Sequence, residues 1–374
     1  MEIKRIGSLE LASMIILFQL GSSIVLGMGM EAGKDAWIAI GISTLIGIAI
    51  HFCYIALYRA GGASKTFTSI LQEAFSRPLG IFLAGLYYLY FLYLAARVTA
   101  DFAFFINEVL LWSVRAWVIK LSILLLVAYV CYLGIETLGR SSEALTLMMI
   151  SFLLLVIVSM FFLEEFDLNN LRPILENGYS PIIRAVFPTL ITFPFGEVIV
   201  FLCYYQYVKS FPSFQKHGWL AVLISGFILM VISILNIGFL TAELAKFFIF
   251  PFMKTIEHIN FLNFIRHLEL LAVLIFTIGG LIKISIFSFA GIQGLAGIFK
   301  IKKDQKMIIP FLLTVYIISV VFMKNFSIHL FIGLKIVPLY IHLFFQLFMP
   351  ILCLFLLVIK LLWRKRKRLR QTHS

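Results

Sequence analysis

Long apolar runs separated by short polar stretches account for almost the whole chain. About 17 to 25 mostly apolar residues cross a bilayer as a helix. On that criterion spans fall near 9–30, 36–58, 79–108, 118–135, 142–163, 182–208, 218–240, 268–299, 306–324 and 336–362. The third, sixth and eighth runs are long enough to tilt or to contain a break. The two longest connections are about Glu164–Pro181 and Thr241–His267, too short for a soluble domain. The pattern predicts an all-α polytopic membrane protein with about ten transmembrane helices, a single transmembrane domain over 1–374. Lys4 and Arg5 ahead of the first run resemble the start of a signal peptide. That run, however, continues from Leu9 to Met30 with no clean cleavage site, so it is expected to stay as a first helix.

Two of the ten runs are interrupted. Leu20-Gly21-Ser22-Ser23, with Ile24 after it, lies in the middle of the first, and Gly27 and Gly29 follow. In the sixth, Pro188, Pro194 and Gly196 fall around Phe193-Pro194-Phe195-Gly196-Glu197. Proline removes a backbone donor and glycine relaxes the φ restriction. Unwound backbone is tolerated in hydrocarbon only where protein or a cavity surrounds it. Breaks in helices one and six of ten divide the chain into a first repeat of about 9–163 and a second of about 182–362. With five helices in each half, the two have opposite orientations. Paired broken helices in inverted halves point to a binding site at the midplane, where half-helix N-termini favour an anion such as a carboxylate. Close helix packing is the other use for the small residues of helix one.

The composition, 62% hydrophobic and 13% charged with a mean hydropathy of +1.04, makes the bilayer the solvent. The formal net charge of +13 does not indicate nucleic acid, because the basic residues sit in short loops and in a basic tail over 363–374. Counting Lys and Arg with the N-terminus inside gives about nineteen inner against ten outer, so both termini are expected to be cytoplasmic. The tail cluster from Arg364 reads as a stop-transfer anchor or as a contact for anionic membrane lipid. Cys53, Cys131, Cys203 and Cys353 are widely spaced and the seven histidines show no ligand spacing, so neither a metal site nor an enzyme is indicated. Four ionisable residues lie inside spans: Arg97 and Asp101 in helix three, Glu197 in helix six and Lys283 in helix eight. Such groups must face a partner, water or the bundle interior. Arg97 and Asp101 are four apart, within pairing distance on one face. Glu197 directly follows the break, within reach of Lys283 or a freed N–H.

The outer loop Phe166-Asp-Leu-Asn-Asn-Leu-Arg-Pro173, followed by Gly178 and Pro181, together with the Gly196-Glu197 break and the Arg97-x-x-x-Asp101 pair, resembles one family over essentially the whole chain. That family is the B subunits of the nutrient germinant receptors of spore-forming bacteria, the spore germination permeases, within the amino acid–polyamine–organocation transporter group. The resemblance implies a subunit in the spore inner membrane that binds a small germinant, usually an amino acid, without a cofactor. Its implied partners are a larger membrane A-type subunit and a C-type lipoprotein. By position it places the ligand against Gly21, Ser22, Ser23 and Ile24, against Phe193, Pro194, Phe195 and Gly196, and beside Phe91, Ile282 and Lys283. Arg97, Asp101, Glu197 and Lys283 would form the charge network. The same residues leave a second function open: a proton-coupled amino-acid transporter with real flux, in which Glu197 takes up and releases the proton.

Overall fold

The structure is a computed structural model that describes residues 5–62, 65–160, 163–257 and 268–371, the side chains of 368–370 excepted. The expectations that concern Lys4, the end of the fifth span at 161–162, the 258–267 part of the long connection with Arg266, and the last three tail residues lie outside it.

Among the described residues nine helices are long and apolar enough to cross a membrane, and the shorter apolar helix Ser8–Ser23 accompanies them. The protein is an integral membrane protein of helices alone, with one isolated bridge, Ile6 to Val208, among those residues. In chain order the helices are α1 (Ser8–Ser23), α2 (Ala36–Gly61), α3 (Phe67–Ala74), α4 (Arg77–Val109), α5 (Ala116–Leu133) and α6 (Ile135–Met160). A broken sixth segment follows, built from α7 (Ser180–Ala185), a π-helical stretch Val186–Phe195 and a 3-10 stretch Gly196–Cys203. The remainder are α8 (Phe211–Phe247), α9 (Pro251–Glu257), α10 (Leu268–Ile298), α11 (Ile308–Val321), α12 (Phe326–Phe331) and α13 (Met349–Gln371).

Small residues set the closest packing, as they do where helices associate without a water-driven force. α4 lies along α10, α2 along α8, and α1 against α6, α8 and α10. A Cβ on Gly21 would stand 3.0 Å from the Gly279 carbonyl oxygen of α10. Gly280 takes the ring of Phe102, and Gly294 takes that of Tyr88. Gly21 therefore supports helix contact.

The elements differ from the expected spans in three places. α1 continues through Gly21, Ser22 and Ser23, and the chain unwinds after them, over 24–29, with Gly29 at φ 74°. Gly134 alone, at φ 90°, separates α5 from α6, so the fifth helix begins at Ile135 and takes in Arg140 and Glu143. The last segment is helical without a gap from 326 to 371, beginning ten residues before the expected start at 336, and its centre is π-helical over Ile332–Ile336 and Pro338–Phe348.

Two prolines explain that widened centre and how it survives in the bilayer. Pro338 and Pro350 have no N–H, so the carbonyls four residues before them, Leu334 and Gln346, lose their helical donors. The Thr189 hydroxyl donates to Leu334 O at 3.1 Å, and the Tyr54 hydroxyl to Gln346 O at 2.6 Å. The Tyr87 hydroxyl also fills the neighbouring Phe345 carbonyl, at 2.7 Å.

Beyond the apolar run α13 is tied to α3. Lys360 Nζ donates to the carbonyls of Glu73 and Phe75 at 2.8 and 3.3 Å, and Arg364 meets Glu73 Oε1 at 2.7 Å. The hydrogen bond from Arg364, then the charge of Lys65, hold the Glu73 carboxyl below its usual 4.5 against a smaller desolvation effect. A depressed carboxyl stabilises the docked form above about pH 4.5, and that contribution is lost as pH falls through the lower folded value. A pair this exposed is worth under about 1 kcal/mol. Spin labels on α3 and on α13 should therefore show only a small shift to longer separations between pH 6 and pH 3, because Lys360 still holds the two carbonyls, and complete undocking would contradict this attachment.

Candidate functional site

The sixth segment passes the middle of the bundle in non-helical geometry at Phe193 (φ −125°, ψ 114°). This places Glu197 just past the break and turned inward, 2% exposed. Lys283, projecting from α10 and fully buried, lies 2.7 Å from Glu197 Oε2. Its ammonium also donates to Ser22 Oγ at 2.9 Å and sits over the rings of Phe18 (4.9 Å) and Phe193 (4.7 Å). One cation thereby joins the end of α1 to the broken segment. Facing aromatic rings suit it, because they attract a cation without needing a donor.

On the other side of the centre, Arg97 and Asp101 of α4 share one face, as their spacing requires. They do not close on each other. His329 of α12 stands between them: its Nε2 bonds Asp101 Oδ1 at 2.6 Å, and its carbonyl accepts from Arg97 Nη2 at 3.1 Å. Arg97 Nη1 reaches the Tyr93 hydroxyl at 3.3 Å. The guanidinium lies against Gly333, where any Cβ would overlap it. A chain of neutral polar groups continues from here, with Gln346 Nε2 donating to the Tyr90 hydroxyl at 2.8 Å and that hydroxyl 2.6 Å from His342 Nδ1.

Arg97, Asp101, Glu197 and Phe193 line one cavity together with Leu26 and His342. At about 30 Å³ it holds about two waters. Leu26, Leu330 and Leu334 also line a cavity of about 260 Å³ on the face away from the described chain ends, beside the unwound 24–29 stretch. The two cavities share these three leucines, and Glu31, which lines the larger one, pairs with Lys335. Towards the chain ends the barrier is thicker. Phe18 packs edge-on against Phe201 and Phe287 at 5.3 and 5.0 Å, and Phe287 lies beside Phe91 at 6.1 Å. Beyond those rings a cavity of about 550 Å³ is lined by Thr68, Tyr88, Gln206, Gln293 and Asp304, among others.

The remaining candidate residues stand back from the central cavity. Gly21 faces Gly279, Phe91 belongs to the aromatic barrier, and Phe195 packs on Gly47 of α2. Ser23, Ile24, Pro194 and Ile282 are buried around it. Gly196 approaches Gln346 where a Cβ would clash, and its carbonyl accepts from the Tyr54 hydroxyl at 3.1 Å. The sequence reading missed His329, Gly333 and Gln346, all in the last segment, while His342 is the bundle-facing histidine that its apolar run implies. A histidine and a glutamine within apolar runs were the available signal.

Comparison with known proteins decides the family. Residues 5–327 match the family described as spore germination protein. The chain belongs to the spore germination protein family. It is 34% identical to Spore germination protein KB of Bacillus subtilis (strain 168), over 98% of this chain and 97% of that protein. Spore germination protein YndE of the same organism is 26% identical, over 89% and 88% of the two chains. Spore germination protein GerQB of Bacillus cereus is 24% identical, over 83% and 86%. Arg97, Asp101, Glu197 and Lys283 lie within the family match, whereas His329, Gly333, His342 and Gln346 lie past its end at 327.

Proposed function

We propose that this spore germination protein is the germinant-binding membrane subunit of a spore nutrient receptor, using a transporter-type bundle as a ligand sensor. The observation that carries the reading is the small cavity at the bundle centre. It lies between the unwound end of α1 and the break at Phe193, is lined by Arg97, Asp101 and Glu197, and shares three leucines with a larger cavity. No amino acid fits this form, so a ligand binds only as the bundle opens. The resulting shift can be no larger than the ligand's difference in affinity between the two states.

The packing supports reading the bundle as two inverted halves, about 9–163 and about 182–362. Exchanging each helix for its counterpart five crossings later maps α2 on α8 and α4 on α10 back onto themselves. It also maps α1 on α6 onto the broken segment on the last one. Lys283 occupies the place of a coupling cation beside α1 in this reading, with Ser22 and Glu197 as its ligands. The excess of basic residues on the face of the described chain ends supports cytoplasmic termini. That orientation, with the family, supports the inner membrane of a spore-forming bacterium, a small germinant such as an amino acid, and A-type and C-type receptor subunits as partners.

Binding of labelled amino acids, sugars and nucleosides to the purified protein tests the reading, followed by uptake of any hit into proteoliposomes. Saturable binding without uptake is the expected result. Uptake that is driven by a pH gradient and fails in Glu197→Gln would make the chain a working symporter instead. A panel in which nothing binds removes the sensor assignment.

A further inference from the structure

His329 sits in the central site as a ligand would. Its ring N–H is on the carboxylate of Asp101 at 2.6 Å, and its backbone carbonyl is on the guanidinium of Arg97 at 3.1 Å. The two charges of α4, spaced to pair with each other, are held apart by a donor and an acceptor that belong to one residue. An α-amino acid carries the same two functions in charged form: an ammonium that donates and a carboxylate that accepts.

Resting on the sensor reading above, we propose that Arg97 and Asp101 form a receptor for a zwitterion and that His329 is its built-in stand-in, displaced when ligand enters. The ligand ammonium takes the place of the imidazole on Asp101, and the carboxylate takes that of the His329 carbonyl on Arg97. Both replaced hydrogen bonds become charge-assisted at both ends, and those are the stronger kind. The exchange also answers the problem of space. The cavity of about 30 Å³ is too small for any amino acid, and the buried His329 side chain lies on Asp101, which lines it, so its withdrawal adds space beside that carboxylate. The access route agrees, because Leu330, the next residue, is one of the three leucines that line both this cavity and the larger one. Entry of the ligand and release of the plug are one movement of α12. Glu197 and Lys283 already neutralise each other at 2.7 Å, so the only charges offered to a ligand are those of Arg97 and Asp101.

Binding to the full-length purified protein tests the assignment, with the twenty common L-amino acids, glucose and inosine as labelled probes. For each amino acid that binds, its primary amide (no carboxylate) and its N-acetyl derivative (no ammonium) are then measured. Each derivative is expected to bind at least tenfold more weakly. His329→Ala is expected to bind the parent amino acid at least threefold more tightly, and Arg97→Gln at least tenfold more weakly. Should the variants not survive purification, the derivative series on the natural chain decides alone. Equal affinity for parent and derivatives overturns the proposal, as does weaker or unchanged binding in a folded His329→Ala. Binding of glucose or inosine with no amino acid bound also overturns it, while leaving the sensor reading intact.

Discussion

Replacing Lys283 by methionine is expected to remove about 3–5 kcal/mol of stability, and adding Glu197→Gln in the same chain is expected to restore most of it. Methionine matches the stem of the lysine and leaves the Glu197 carboxylate without its partner at 2.7 Å, in a position 3% exposed at the side chain. The second change removes that stranded charge. The effects are therefore far from additive, as expected for residues in contact. Thermal unfolding in one detergent of the natural chain, the two single variants and the double variant closes the cycle. A double variant no more stable than Lys283→Met would mean that the pair does not carry the coupling assigned to it.

The second large effect is expected at Gly333. Valine there should abolish ligand binding, because its Cβ occupies the place of the Arg97 guanidinium, with Nη1 only 3.2 Å away. Arg97 would have to leave both the His329 carbonyl and the Tyr93 hydroxyl. A guanidinium moved off its acceptors inside the bundle costs several kcal/mol. The protein should still assemble, since Gly333 lies at the rim of the cavity and not in the main α4 to α10 contact. Binding measured beside size-exclusion behaviour separates the two effects. Monomeric Gly333→Val that binds ligand at natural affinity would exclude Arg97 from recognition.

Hydropathy made the ten crossings readable, because length and apolarity are what the bilayer demands and both are local. The break at Phe193 was equally visible, since Pro194 and Gly196 act on the backbone where they stand. Gly21 was not decidable in the same way. Nothing near it in the chain says that its surface meets Gly279, more than 250 residues later, and the unwinding fell instead on 24–29. The last segment hid more. Its prolines look like an ordinary interruption, and the donors that make them tolerable, Thr189 and Tyr54, come from distant parts of the sequence. His329 and Gly333 precede the apolar run that marks the expected tenth span, so length alone left them in a loop. The Arg97 to Asp101 spacing gave the shared face correctly but could not reveal the histidine between them.

The unbroken helical run from 326 to 371 carries a consequence for how the molecule can be controlled. At about 1.5 Å per residue it is roughly 70 Å long, more than twice the thickness of the hydrocarbon. One end bears His329, which bonds both Asp101 and Arg97, and the other is latched to α3 by Lys360 and Arg364. Coupling free energy between two sites is reciprocal. Whatever grips the far end of that rod, a partner subunit or a lipid headgroup, must change the affinity for germinant by the factor with which germinant changes that grip. A spore could then set its own threshold for waking at the latched end of that helix, far from the central cavity.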